Sequence, residues 1–208
     1  MAWQLQKLKR RGNRLPPEAM PQRRYLMELA IERFMLDDHE SLGELLEKLN
    51  SALDKGDLLQ TFRLLDLFWA RLAVHIRAEN ICLFPAILNA PGELFASNNG
   101  LPTIEEARKA IASLRSDHNV FMNELTKAVK TMRQILHGPE DVDVSRQLEA
   151  VRANLAAVGR LLEEHNKLEE SAVYQWPRAL LTPSELVRLN DVIKLEIDNL
   201  PPRFAEAG

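Results

Sequence analysis

Five histidines occur in the chain, and four of them, His39, His75, His118 and His165, fall one to each long helical pattern. Each lies on an apolar stripe. Leu36, Leu42, Leu46 and Leu49 surround His39; Leu65, Phe68, Leu72 and Cys82 surround His75. Ile111, Leu114, Phe121 and Leu125 flank His118, and Val158, Leu162, Leu168 and Ala172 flank His165. Offsets of three, four, seven and ten residues keep every one of these imidazoles on the inward face of its helix. A single histidine on such a face is ordinarily a satisfied core residue. Four, one from each wall of a bundle, cannot readily satisfy one another in apolar surroundings, and a metal ion is the simplest common partner.

Two carboxylates sharpen that chemistry. Glu79 follows His75, and Glu169 follows His165, each by four residues, which puts acid and imidazole on one face. A glutamate within an apolar stripe is costly unless it is paired or bound to a cation. The arrangement also repeats. Asp38-His39, then His75 to Glu79, then Phe84-Pro85 is matched by Asp117-His118, then His165 to Glu169, then Trp176-Pro177. Such self-similarity points to two half-bundles facing each other.

The elements that must position these residues are helices. Only 8 glycines occur in 208 residues, and Leu, Ala, Glu, Lys and Arg recur at helical spacing, so the class is all-α. The first long pattern runs from Pro21 to Leu53, with a possible break at Asp37 and Asp38, both good N-cap residues. The second runs from Gly56 towards Pro85, the third from Thr103 to Gly138, and the fourth from Val144 to Trp176. Short links imply an antiparallel, up-down four-helix bundle. Residues Asn89 to Pro102 form the longest loop. An additional C-terminal helix opens at Thr182-Pro183-Ser184-Glu185, a capping box with proline in the first turn. Residues 21–208 are read as the bundle and residues 1–20 as a basic N-terminal arm or short helix. From Lys7 to Arg24 the chain sets seven basic residues against Glu18 alone, without interleaved aromatics, so no nucleic-acid partner is expected.

A formal net charge of −3 calls for neither nucleic acid nor membrane. One cysteine, Cys82, excludes an internal disulfide and suits a reducing compartment. With no membrane-length apolar run and no leader pattern, the expected location is cytoplasmic.

The order DH, HxxxE, DH, HxxxE resembles the hemerythrin-like, or HHE cation-binding, family over about Tyr25 to Leu180. The resemblance implies six metal ligands: His39, His75, Glu79, His118, His165 and Glu169. It implies two iron ions bridged by the two carboxylates and an oxygen species, with imidazoles completing each iron. Imidazole and carboxylate ligands suit iron, while manganese and zinc accept the same set. Oxygen-carrying members place a second histidine four residues after the third-helix ligand and bridge through an aspartate. Here Met122 holds that position and Glu169 is the bridge, as in the bacterial branch with two HxxxE halves. The separate cysteine-bearing N-terminal domain of some relatives is not expected here.

The lost histidine leaves two imidazoles on each iron, with both irons open to a ligand. That favours a small diatomic or peroxide ligand (dioxygen, nitric oxide or peroxide) with slow redox turnover, in stress defence or iron handling. Whether the protein is an enzyme stays open. Turnover would need an electron donor that no motif identifies. A metal-dependent sensor or interaction module, or a structural metal site, are the alternatives. Several residues are set aside. His137, at a helix end, is read as a surface or capping residue. Cys82 is read as a small buried hydrophobe and Met122 as a wall of the pocket. Nothing in the spacing singles out Tyr25 or Tyr174. Asp38 and Asp117, about 100° around the helix from the histidines they precede, are expected to cap or to face solvent.

Overall fold

The computed structural model describes residues 30–97, 100–138 and 143–203. The basic arm, Tyr25 and the start of the first helical pattern lie outside the described residues. The described residues are helical without a strand: α1 (Ala30–Asp54), α2 (Leu58–Ala78), a π turn (Glu79–Leu83), α3 (Phe84–Leu88), α4 (Gly92–Ser97), α5 (Ile104–His137), α6 (Val144–Ser171), a 3-10 turn (Val173–Gln175), α7 (Trp176–Leu180) and α8 (Pro183–Asp198).

The ends follow the capping chemistry written in the sequence. Gly56, at a φ of 70°, lets the chain leave α1, and the amides of Gly56 and Asp57 return to the carbonyls of Leu53 and Ala52. Asp57 then accepts from the Gln60 amide and starts α2. Thr103 with Glu106 and Thr182 with Glu185 form complete capping boxes at the starts of α5 and α8.

Four expectations change. No break occurs at Asp37 and Asp38. The Asp38 side chain is buried against neighbouring helices rather than turned back as a cap, so α1 runs through. The second helical pattern continues past Pro85 to Leu88 by way of the π turn, where the Phe84 amide reaches the Glu79 carbonyl. The wider turn relieves the clash a proline ring makes with the preceding turn of an α-helix. The fourth pattern breaks at Ser171, and a 3-10 turn carries the chain to Trp176. The long loop contains a short helix, α4.

Consecutive long helices pack on one another, α1 on α2, α2 on α5 and α5 on α6, and α6 closes back on α1. The C-terminal helix α8 lies against α2. The core has two apolar clusters. One holds Met35, Ala78, Phe84, Leu114, Val173 and Trp176; the other holds Leu42, Leu72, Phe121, Leu125 and Leu162. Every ligand-type histidine falls between them: His39 between Met35 and Leu42, His75 between Leu72 and Ala78, His118 between Leu114 and Phe121, His165 between Leu162 and Val173. The four long helices thus carry a polar layer through an otherwise apolar interior.

Candidate metal centre

The polar layer is built from six side chains. His39, His75, His118, His165, Glu79 and Glu169 are all buried, and both glutamates are fully so. They form two groups that share the glutamates, His39 with His75 and His118 with His165, and in each group one ligand-type atom per residue lies within 4.8 Å of the others. All six residues singled out in the sequence therefore converge.

The imidazoles meet in pairs through Nε2. His39 and His75 approach to 3.1 Å, and His118 and His165 to 3.2 Å. Two nitrogens bound cis to one ion at about 2.1 Å each are about 3 Å apart, so the pairs are spaced as ligand pairs are. Each glutamate reaches both pairs. Glu79 sets Oε1 at 3.4 Å from His75 Nε2 and Oε2 at 3.2 Å from His118 Nε2. Glu169 sets Oε2 at 3.4 Å from His39 Nε2 and Oε1 at 3.1 Å from His165 Nε2. Glu79 Oε2 and Glu169 Oε1 are buried, and these close approaches lack the alignment of hydrogen bonds. Two fully buried carboxylates with orphaned oxygens, facing four imidazole nitrogens, fit a pair of cations.

Burial lowers the affinity of His75 for its proton, but the charge and close approach of Glu79 and the hydrogen bond to Asp38 outweigh it and hold the imidazole well above its ordinary value. Burial raises the Glu79 carboxyl, yet the charge of His75 and the close approach of the His118 and His75 rings carry it well below. His165 is raised in the same way: burial opposes, and the close approach and charge of Glu169 prevail.

A pH dependence follows for the metal-free protein. The Glu79 contribution is present above 4.5, its ordinary value, and is lost as pH falls through the depressed one. The His75 contribution is complete below 6.5 and is lost as pH rises through the elevated value. Urea unfolding of metal-free protein should therefore show a higher midpoint at pH 6 than at pH 9, and saturating metal should remove the difference. A higher midpoint at pH 9 would contradict this account.

Three residues that the sequence did not bring forward belong to the site. Asp38 neither caps nor faces solvent, and Asp117, though partly exposed, turns to an imidazole. Asp38 Oδ2 meets His75 Nδ1 at 2.8 Å while its other oxygen accepts from Arg71, and Asp117 Oδ2 lies 3.3 Å from His165 Nδ1. Each aspartate serves the histidine of the next helix, not its own sequence neighbour, and the repeated DH pair was the available signal. Tyr174 is buried in the 3-10 turn. Its hydroxyl lies 2.6 Å from Glu79 Oε1, 3.1 Å from Glu169 Oε2 and 2.9 Å from His39 Nε2. Burial and the charges of Glu169 and Glu79 raise the phenol well above its usual range, so it stays protonated and donates.

Other assignments divide. His137 is exposed at the end of α5, as expected. Cys82 is only half-buried, packed at the edge of the first apolar cluster. Met122 is half-buried against the second cluster. It does not wall the small cavity beside the site, a space of about 10 Å³ bordered by His39, His75, His165, Phe121, Leu162 and Asn166.

The profile of the hemerythrin HHE cation binding domain matches residues 30–176. Comparison with curated proteins and with solved structures finds no match. Among the described residues, no helix is long and apolar enough to cross a membrane.

Proposed function

The chain is a member of the hemerythrin HHE cation-binding domain family, and from that premise we propose that it is a non-haem di-iron protein that binds dioxygen, nitric oxide or peroxide. His39 and His75 would hold one iron and His118 and His165 the other, with Glu79 and Glu169 shared between the two. The observation that carries this reading is that each glutamate places one oxygen in each half of the site. The four long helices cross the polar layer from one apolar cluster to the other in alternating order. That supports the antiparallel up-down bundle among the described residues; a domain spanning residues 21–208 is proposed with it.

Bound iron would supply the capacity to take up a small ligand and exchange electrons with it. The rest is the work of this chain. Glu79 and Glu169 bring two negative charges that balance the cations in a buried layer. Asp38, Asp117 and Glu170 hold three of the four rings by their outer nitrogens. Leu42, Leu72, Ile76, Phe121 and Leu162 line the adjoining cavity, whose volume of about 10 Å³ is water-sized. This selects a ligand of very few atoms and keeps bulk water out. The Tyr174 hydroxyl offers a proton donor beside the His39–His75 half only.

The test is elemental analysis with optical spectra of protein purified without added metal. Two irons per chain are expected, with visible bands that change on reduction and on exposure to dioxygen, nitric oxide or peroxide. Zinc alone, or a spectrum indifferent to every ligand, would overturn the reading.

A further inference from the structure

The four imidazoles are not supported alike. A histidine that gives its Nε2 lone pair to a metal carries its proton on Nδ1 and needs an acceptor there. His39 finds Glu170 at 2.8 Å and His75 finds Asp38 at 2.8 Å. Asp38 is itself held by Arg71. In the other half, His165 has Asp117 at the longer distance of 3.3 Å.

Among the described residues no carboxylate meets His118 Nδ1. Its Nδ1 faces the side-chain amide of Asn80 at 3.2 Å, and the atom presented is the amide nitrogen, a donor. The orientation of that amide is set from outside: Asn80 Oδ1 accepts from Nε of Arg115 at 3.2 Å. Turning the amide to offer oxygen to His118 would set its NH₂ against the Arg115 N–H. Arg115 is exposed, and a ring contact adds to its hold on Asn80. Arg115 lies over the Phe84 ring at 5.7 Å, and Phe84 stacks on His118 with centroids 6.0 Å apart and planes 7° from parallel. Asn80 itself sits in the π turn. His118 is thus held by a donor where its three counterparts have acceptors.

We propose that Asn80, oriented by Arg115, makes the two metal positions unequal: the His39–His75 position fills first and holds tightly, and the His118–His165 position loads last and exchanges. Asn80 is a positioning residue that acts through His118. This rests on the two-metal reading above. Changes to groups that support metal-bound histidines shift affinity roughly 10- to 100-fold, and that is the separation expected between the two dissociation constants.

Manganese(II) is the probe, added to metal-free protein and followed by electron paramagnetic resonance and equilibrium dialysis. At one equivalent the unaltered protein should show isolated manganese, with the signal of an exchange-coupled pair appearing only as the second equivalent binds. Asn80→Asp supplies the missing acceptor. It should tighten the second constant roughly 10- to 100-fold, leave the first nearly unchanged, and bring coupled pairs forward to one equivalent. Arg115→Ala leaves Asn80 in place but frees its amide to turn, and should narrow the gap in the same direction. Asn119→Asp adds the same charge beside His118 in sequence, on the exposed surface of α5, and should change neither constant. Coupled pairs at one equivalent in the unaltered protein would overturn the proposal while leaving the two-metal reading intact. So would an unchanged ratio in both Asn80→Asp and Arg115→Ala. Failure to bind manganese or iron at all would overturn both.

Discussion

Glu79→Ala is expected to empty the metal pair. The carboxylate contributes an oxygen to each half, 3.4 Å from His75 Nε2 and 3.2 Å from His118 Nε2. Its loss removes a ligand from both positions and one of the two negative charges that balance the cations. The metal-free protein should suffer as well. Glu79 is the main charge holding the proton on His75, and breaking a buried pair by removing one partner costs roughly 3–5 kcal/mol. Glu169→Ala should behave alike, since Glu169 sets one oxygen in each of the same halves from the opposite helix. Glu170→Ala is the comparison. That residue is half-exposed and meets only the outer nitrogen of His39, so both metals should remain, more loosely held. Elemental analysis after dialysis, together with urea unfolding of the metal-free variants, reads both effects. Two tightly held irons per chain in Glu79→Ala and Glu169→Ala would sink the assignment of the bridges.

Phe121→Ala should have the next largest effect, on the frame rather than on the ligands. Phe121 is fully buried one turn beyond His118. Its ring meets His165 edge-on at 5.1 Å and lies 6.4 Å from His118, so it fixes the tilt of both imidazoles in the second half. Truncating a buried phenylalanine costs roughly 3–5 kcal/mol, and here the space opened would adjoin the small cavity at the site. Denaturant unfolding should show that loss in metal-free protein. Phe121→Leu, which keeps most of the volume, should recover most of it. Where the alanine variant folds, iron should leave the His118–His165 position faster. A loss below about 1 kcal/mol would mean that the surrounding helices collapse onto the gap and that the ring does not hold the pair.

The six ligand-type residues were legible because their signal is periodic. Helical spacing sets His75 above Glu79 and His165 above Glu169, and the apolar neighbours say which way each helix faces. The supporting groups were not legible by the same rule. Asp38 and Asp117 were judged against their own helices, where neighbouring residues diverge by about 100°, whereas their partners stand on the adjacent helix. Asn80 follows Glu79 immediately and enters the site's surroundings through the π turn, a departure from regular helix that no hydrophobic period announces. Tyr174 lies beyond the end of α6 in a 3-10 turn, where helical spacing no longer says where a side chain is carried. The helix start at Thr182 was readable to the residue and the one near Thr103 closely, since capping is local chemistry. The course of the chain after Glu79 and Ser171 was not, because it depends on what packs at that end of the bundle.

That last difference reaches further than helix boundaries. In the first half of the repeat the aromatic before proline follows the glutamate at the fifth position, Glu79 to Phe84; in the second it follows at the seventh, Glu169 to Trp176. The first half crosses this interval as one continuous rod with a single widened turn; the second breaks and restarts. Tyr174 stands in the longer interval and Asn80 in the shorter, so the phenol between the glutamates and the amide that meets His118 both come from the stretch where the copies differ in length. The ligands keep their twofold likeness while the linkers behind them do not. On the proposal above, a gain or loss of two residues outside the ligand set is enough to turn a symmetric pair of sites into a graded one.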